Sequence, residues 1–232
     1  MNPATNEIEQ VVHAHWALAA AGLSDYVWGH ASLRTSNGSG ILIKSSGWAF
    51  EEIDESRVIE VSWDGGLIAG SGRVHIEVPI HTQVMQTRPD VGAVVHCHAP
   101  AVTAFASLAQ PLRAISHEGA FFADNLPRFE LTGDLIRTQD LGVALADVLG
   151  GAPALIIPQH GLVTAGPDIA TAVMNAAYLE TACRIQLMAA AAGGPAQWSG
   201  EEEIAAKKLS LAARVQADYR YLVDKGTRRH RE

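Results

Sequence analysis

The stretch VVHCHAP at residues 94–100 sets His96 and His98 one residue apart in an apolar run. In a strand, residues i and i+2 project to the same face, so both imidazoles point one way and Cys97 the other. That spacing suits chelation of a cation, and it suits a pair of core histidines equally well. A third imidazole, His160, ends the apolar run ALIIPQH and is followed by Gly161, at a sheet rim where ligands commonly come from loops. A plain turn histidine would have the same surroundings. Glu77 stands four residues before His81, on one helical face and just ahead of the strand that carries the pair. Alone, it also reads as a solvated surface carboxylate. Three neutral imidazoles around one open position form a catalytic zinc arrangement, and the same donors accept manganese, iron or cobalt.

The elements that must position these residues can be read along the chain. A helix is expected from Glu7 to Ala21, stopped by Gly22, with His13 and His15 as exposed or satisfied helix residues. Short strands follow over 28–34 and 40–47, then VIEVS, the turn WDGG and LIAG, an antiparallel, hairpin-rich opening. Residues 77–87 return to helical spacing and end at Arg88-Pro89, where proline restricts the residue before it. The strand VGAVVHCH comes next, then a short helix PAVTAFASLA, an extended piece RAISHE and a helix over 134–149 closed by Gly150-Gly151. ALIIPQHG and LVTAG read as a hairpin, and helices over 168–192 and about 201–223 complete the chain. With no repeat or linker to divide it, one domain over 1–232 with a helical tail from about 201 to 232 is expected.

Composition narrows the possible functions. The 17 Lys and Arg stand against 25 Asp and Glu, for a net charge of -8, and no dense basic run precedes RRHR at 228–231, so a nucleic-acid surface is not expected. The only cysteines, Cys97 and Cys183, are too few for a disulfide framework and fit a reduced, cytoplasmic setting. No apolar run reaches the roughly 18 residues that a membrane span needs, and the N-terminus does not read as a secretion signal.

Taken in order, GHASLR, KSSGWAFEEI, EVPIHTQVMQTRPDVGAVVHCHAP and PQHGLVTAG resemble the class II aldolase/adducin family over roughly residues 7 to 192. The resemblance implies an α/β fold, a three-layer α/β/α domain with a central, mainly antiparallel sheet. It implies a divalent metal ion (Zn, Mn, Fe or Co) on His96, His98 and His160, with Glu77 as an acid/base that can also touch the metal. It further implies a homotetramer with sites between subunits, where the tail, through Tyr219, Tyr221 or Arg228, can reach a neighbouring site.

This chain departs from the sugar-phosphate aldolases of that family at the phosphate subsite. Where they carry paired serines it has His75 and Ile76, and isoleucine offers no hydrogen bond. His30 stands where they usually have asparagine. Ser45, Ser46 and Gly47 keep a turn that can hold a smaller anion, and Arg34 and Arg73 are candidate partners for a carboxylate. In SHEGAFF, His117 and Glu118 replace a proton-donating tyrosine. The run HEGAFF and the missing serines are similar to the branch of metal-dependent decarboxylases that act on hydroxylated aromatic or pyridine dicarboxylates. The expected function is therefore that of a metal-dependent carbon-carbon lyase, a decarboxylase of such a small anionic substrate. Three other readings stand beside it: an aldolase acting on a non-phosphorylated hydroxy-keto acid, a non-haem iron oxygenase and a metal-free adducin-like binding module.

Overall fold

The structure, a computed structural model, describes residues 3–231. Met1, Asn2 and Glu232, the ends of the expected domain and tail, lie outside the described residues. Helix α1 spans Pro3–Ala20, strands β1 to β4 span His30–Arg34, Gly40–Lys44, Val58–Ser62 and Leu67–Ala69, and α2 spans Val78–Thr87. Strand β5 covers Ala93–Cys97, and helices α3, α4 and α5 cover Pro100–Ala106, His117–Phe122 and Gln139–Leu149. Strands β6 (Ala154–Ile157) and β7 (Gly161–Gly166) lead into α6 (Ile169–Ala191), α7 (Glu201–Ala212) and α8 (Val215–Arg231).

The seven strands form one sheet in the order β4-β3-β2-β1-β5-β7-β6, with antiparallel neighbours throughout. Helices cover both faces, which is why β5, AVVHC, is buried along its whole length and reads as an apolar run. Ala31, Leu33, Val95 and Cys97 face a core shared with α1, α3, α6 and α8, whereas Ile41, Ile43, Val94 and Val163 face one shared with α2 and α5. This is the α/β/α sandwich with an antiparallel sheet that the resemblance implied. No described helix is long and apolar enough to cross a membrane.

Three expected boundaries move for local reasons. The helix expected over 134–149 begins at Gln139, because Thr138 Oγ1 accepts the Leu141 N–H and caps it. The extended reading of RAISHE gives way to α4, where Ser116 Oγ accepts the Gly119 N–H and starts a helix at His117. The expected helix over 201–223 is two helices, with Ala213 and Arg214 between α7 and α8.

His15 joins α1 to the sheet. In its neutral form Nδ1–H donates to the Val11 carbonyl (2.7 Å) and Nε2 accepts the Ala31 N–H (3.2 Å). Burial first, and the positive charge of Lys44 second, hold its pKa down to about 3 from an ordinary 6.5. Between those values the unfolded chain binds a proton that the folded chain does not, so stability is full above pH 6.5 and is lost as pH falls towards 3. His15 is expected to contribute about 1.4 kcal/mol per pH unit to that slope. In urea unfolding at several pH values, His15→Ala should be less stable at pH 7.5 and show a shallower slope. An unchanged slope would contradict the assignment.

Candidate metal centre

Adjacent strands bring the histidines together. Antiparallel pairing sets His30 of β1 opposite His96 of β5, and His96 opposite Val163 of β7. Along β5 the side chains alternate, so Val95 and Cys97 pack under α6 while Val94 and His96 face the α2 side. His98 follows directly after the strand, and His160 sits in the β6–β7 turn behind Gln159, whose φ is 66°. Gly161 lets the two approach each other: a Cβ there would lie 2.3 Å from the Cys97 carbonyl oxygen and 3.1 Å from the His98 Cα. On the other side of His96, Gly29 (φ 72°) passes so close that a Cβ would meet the Phe50 ring at 2.8 Å and the His96 carbonyl oxygen at 3.2 Å.

Each of Glu77, His96, His98 and His160 offers one ligand atom, and these atoms all lie within 4.8 Å of one another. His96 Nδ1 lies 2.9 Å from the Leu162 carbonyl oxygen, which can only accept, so in the neutral ring Nε2 keeps the free lone pair. His98 Nδ1 lies 3.1 Å from the Asp25 carboxylate, with the same consequence. Such partners on the far ring nitrogen orient histidine ligands and raise their basicity. The Nε2 atoms of His96, His98 and His160 are buried with no hydrogen-bond partner among the described residues. An unpaired buried polar atom is costly, and three of them beside a carboxylate fit a bound cation.

Glu77 does not begin the helix, as the i, i+4 reading had it, but caps α2 from just outside. Its Oε1 accepts the Ile136 N–H (2.9 Å) and lies 3.7 Å from His160 Nε2, while Oε2 lies 3.5 Å from His96 Nε2. His81 turns away into a different network. Burial alone would raise the Glu77 pKa, but His96, the Ile136 N–H and His160 outweigh it and hold the carboxyl down to about 2. Burial and His96 lower His160 to about 4, and they lower His98 against the opposing pull of Asp25. Around neutral pH, His98 and His160 present lone pairs and Glu77 a negative charge.

The centre opens into a cleft of about 730 Å³ lined by His30, Ser46, Gly47, Arg73, His75, Glu77, His98 and His160, with Val27, Trp28, Val74, Ile76 and Leu135 supplying apolar walls. His96 is fully buried beside Glu77 and His160 and does not itself line the cleft. Burial first and Lys44 second hold His75 down to about 3, and burial with the neighbouring histidines keeps His30 well below its ordinary value. Arg73 is exposed and has no ion-pair partner among the described residues.

Four expected participants lie elsewhere. Ser45 is buried behind the Ser46–Gly47 turn and does not line the cleft. Arg34 donates to the carbonyls of Met85, Val91 and Arg88 and stacks on Trp63, closing the end of α2. His117 and Glu118 open α4, which packs against α6 and α7, and neither lines the cleft of its own chain. In the tail, Tyr219 packs into the core and Tyr221 is exposed, and no described residue of α7 or α8 reaches the cleft. Sequence reading missed Asp25, 73 residues from His98, and the Ile136 N–H, 59 residues from Glu77; neither separation carries a periodic signal.

Residues 9–187 match the family described as the class II aldolase and adducin N-terminal domain, and the chain belongs to that family. It is 30% identical over 201 residues to the 3,4-dihydroxyphthalate decarboxylase of Arthrobacter keyseri, covering 80% of this chain and 79% of that one. It is 34% identical over 168 residues to the decarboxylase NovR of Streptomyces niveus, covering 71% of this chain but only 60% of that relative's length. Among solved structures, the L-fuculose 1-phosphate aldolase of Glaciozyma antarctica PI12 superposes with a TM-score of 0.82 at 27% identity, covering 93% of this chain and 88% of that one. Together these similarities support an enzyme of the lyase class.

Gly161→Ala forces the Cys97 and His98 backbone away from His160. It is expected to weaken zinc binding by about ten- to 100-fold, the range seen when supports of metal ligands are disturbed. Competition titration against a chromogenic chelator measures this, and unchanged affinity would contradict the role given to the close approach.

Proposed function

We propose that this protein is a divalent-metal-dependent decarboxylase of a hydroxylated aromatic or pyridine dicarboxylate, with His96, His98 and His160 as metal ligands. The observation that carries the reading is the unpaired Arg73 beside neutral His30 and His75 in a cleft with apolar walls. A guanidinium fork without a protein carboxylate favours an anionic substrate, and Trp28 and Val27 suit a flat ring. Ile76, in the place of a phosphate-binding serine, gives a phosphoryl group no side-chain donor. The relative named 3,4-dihydroxyphthalate decarboxylase supports the same substrate class.

A cation held by the three imidazoles supplies Lewis acidity that stabilises negative charge on substrate oxygen. The chain's own groups do the rest. Arg73 and the Ser46–Gly47 turn hold one carboxylate, and the apolar walls keep the ring in place and water out. Glu77, a carboxylate at rest, accepts the proton of the ring hydroxyl. It then returns that proton to the ring carbon whose bond to the departing carboxylate breaks, and carbon dioxide leaves. The oxygen left deprotonated regains its proton from solvent. His117 and Glu118 act within this scheme if a neighbouring copy presents its cleft to α4, as in the expected homotetramer. The exposed Trp28, which lines the cleft, and the exposed Tyr26 whose ring packs against it support such a contact.

Hydroxylated aromatic dicarboxylates are expected to release carbon dioxide with the metal-loaded enzyme. Pyruvate release from hydroxy-keto acids would favour the aldolase, and oxygen uptake with iron the oxygenase. Glu77→Gln should lower kcat by about 10² to 10⁴-fold while retaining at least part of the metal. Arg73→Ala should raise KM about tenfold or more, the loss of one charge-assisted hydrogen bond. His96→Ala should lose metal and activity together, and activity retained by that variant would refute the site.

A further inference from the structure

Behind the cleft lies a buried row of side chains that ends at His30, and the proposed chemistry gives no role to the two behind it. Ser32 Oγ lies 2.6 Å from His81 Nδ1, and His81 Nε2 lies 2.6 Å from His30 Nδ1. Ser32 and His81 are completely buried, and His30 is 2% exposed with its ring at the cleft wall. Nε2 of His30 has no hydrogen-bond partner among the described residues, so it is the end of the row that meets the cleft. Ser32 and His30 share a face of β1, and His81 reaches them from α2, so the row ties helix to sheet.

Two arrangements of protons satisfy these distances between neutral rings. In one, each hydrogen bond points towards the cleft: Ser32 O–H donates to His81 Nδ1, His81 Nε2–H donates to His30 Nδ1, and His30 Nε2–H faces the cleft. In the other the direction reverses: His30 Nδ1–H donates to His81 Nε2 and His81 Nδ1–H donates to Ser32 Oγ. The reversed row leaves the Ser32 hydroxyl proton without an acceptor, since His81 is the only partner of that oxygen among the described residues. A buried donor without an acceptor forfeits its hydrogen bonds to water with nothing in return, whereas the forward row leaves free only the N–H that opens into the cleft. Satisfaction of the buried hydroxyl therefore selects the forward row.

We propose that Ser32 and His81 are positioning residues that fix His30 as its Nε2–H tautomer, an uncharged donor aimed at a carboxylate oxygen of the substrate. The inference rests on the reading of the cleft as an anion site and adds to it how His30 is kept a donor. An acceptor nitrogen at that place would repel the carboxylate that Arg73 attracts.

Histidine-selective ¹⁵N labelling of the zinc-loaded protein tests this directly, with the His30 signals assigned by their loss in His30→Gln. Long-range ¹H–¹⁵N correlation should show His30 and His81 both as Nε2–H tautomers. Either ring found as Nδ1–H, or charged at pH 7.5, overturns the proposal whatever the reaction. Addition of phthalate, an unreactive aromatic dicarboxylate, should shift the His30 Nε2–H resonance; a spectrum in which phthalate moves other cleft signals but not this one removes the role towards carboxylate. Ser32→Ala should leave His30 a mixture of tautomers and raise KM about tenfold, more than it lowers kcat, and Ser32→Thr, which keeps the hydroxyl, should restore both. If no dicarboxylate releases carbon dioxide but the tautomers and the phthalate response are as stated, the decarboxylase reading fails and this one stands.

Discussion

Three imidazole nitrogens without hydrogen-bond partners, buried beside a carboxylate, form an arrangement that an empty protein interior does not tolerate cheaply. Each lone pair is aimed by something else in the fold: His96 by the Leu162 carbonyl, His98 by Asp25, His160 by the turn that holds it. The rest of the architecture can be understood as the support this cluster requires. An antiparallel sheet lets β5 and β7 lie side by side, and glycine at 161 brings the β6–β7 turn against the end of β5. Covering both faces of the sheet removes water, which strengthens the electrostatics of the site and makes any unpaired polar atom costly.

The polar side of the sheet is unusually rich in histidine for a core. His30, His75, His81 and His96 lie close together on the α2 side of β1 and β5, while Lys44, like Leu42 two residues before it, points to the α1 side, where it is buried near Phe50 and His15. Lys44 donates to the carbonyls of Val27 and Trp48, and burial lowers its pKa to about 8. Its positive charge discourages protonation of His15, His30 and His75. The cleft itself is lined by the acidic side chains of Glu77, Asp25 and Asp134 and by Arg73.

Much of this was legible in the sequence, and the reasons are local. His96 and His98 announce themselves because strand periodicity puts i and i+2 on one face, and His160 because an apolar run ends at His-Gly. The resemblance carried the fold and joined Glu77 to the three histidines. What the sequence could not show were the long-range partners. Asp25, the Ile136 N–H and the Ser32–His81–His30 row depend on which elements pack together, and no spacing encodes that. The same limit explains the misplaced residues. Arg34 and Arg73 look alike in sequence, yet one is tied to backbone carbonyls and the other opens onto the cleft. In Ser45-Ser46-Gly47 the alternation of the chain puts the first hydroxyl behind the turn, and in SHEGAFF a serine cap makes a helix of what reads as a strand end.

One cation at one point in the fold would engage all three unpaired imidazoles. Crystals of the protein soaked in zinc, with anomalous data collected at the zinc edge, locate it without reference to any reaction. A single strong peak per chain, about 2.0 to 2.1 Å from the Nε2 atoms of His96, His98 and His160, is the predicted result. A peak that leaves those three nitrogens unliganded, or none at this site at saturating zinc, would contradict it.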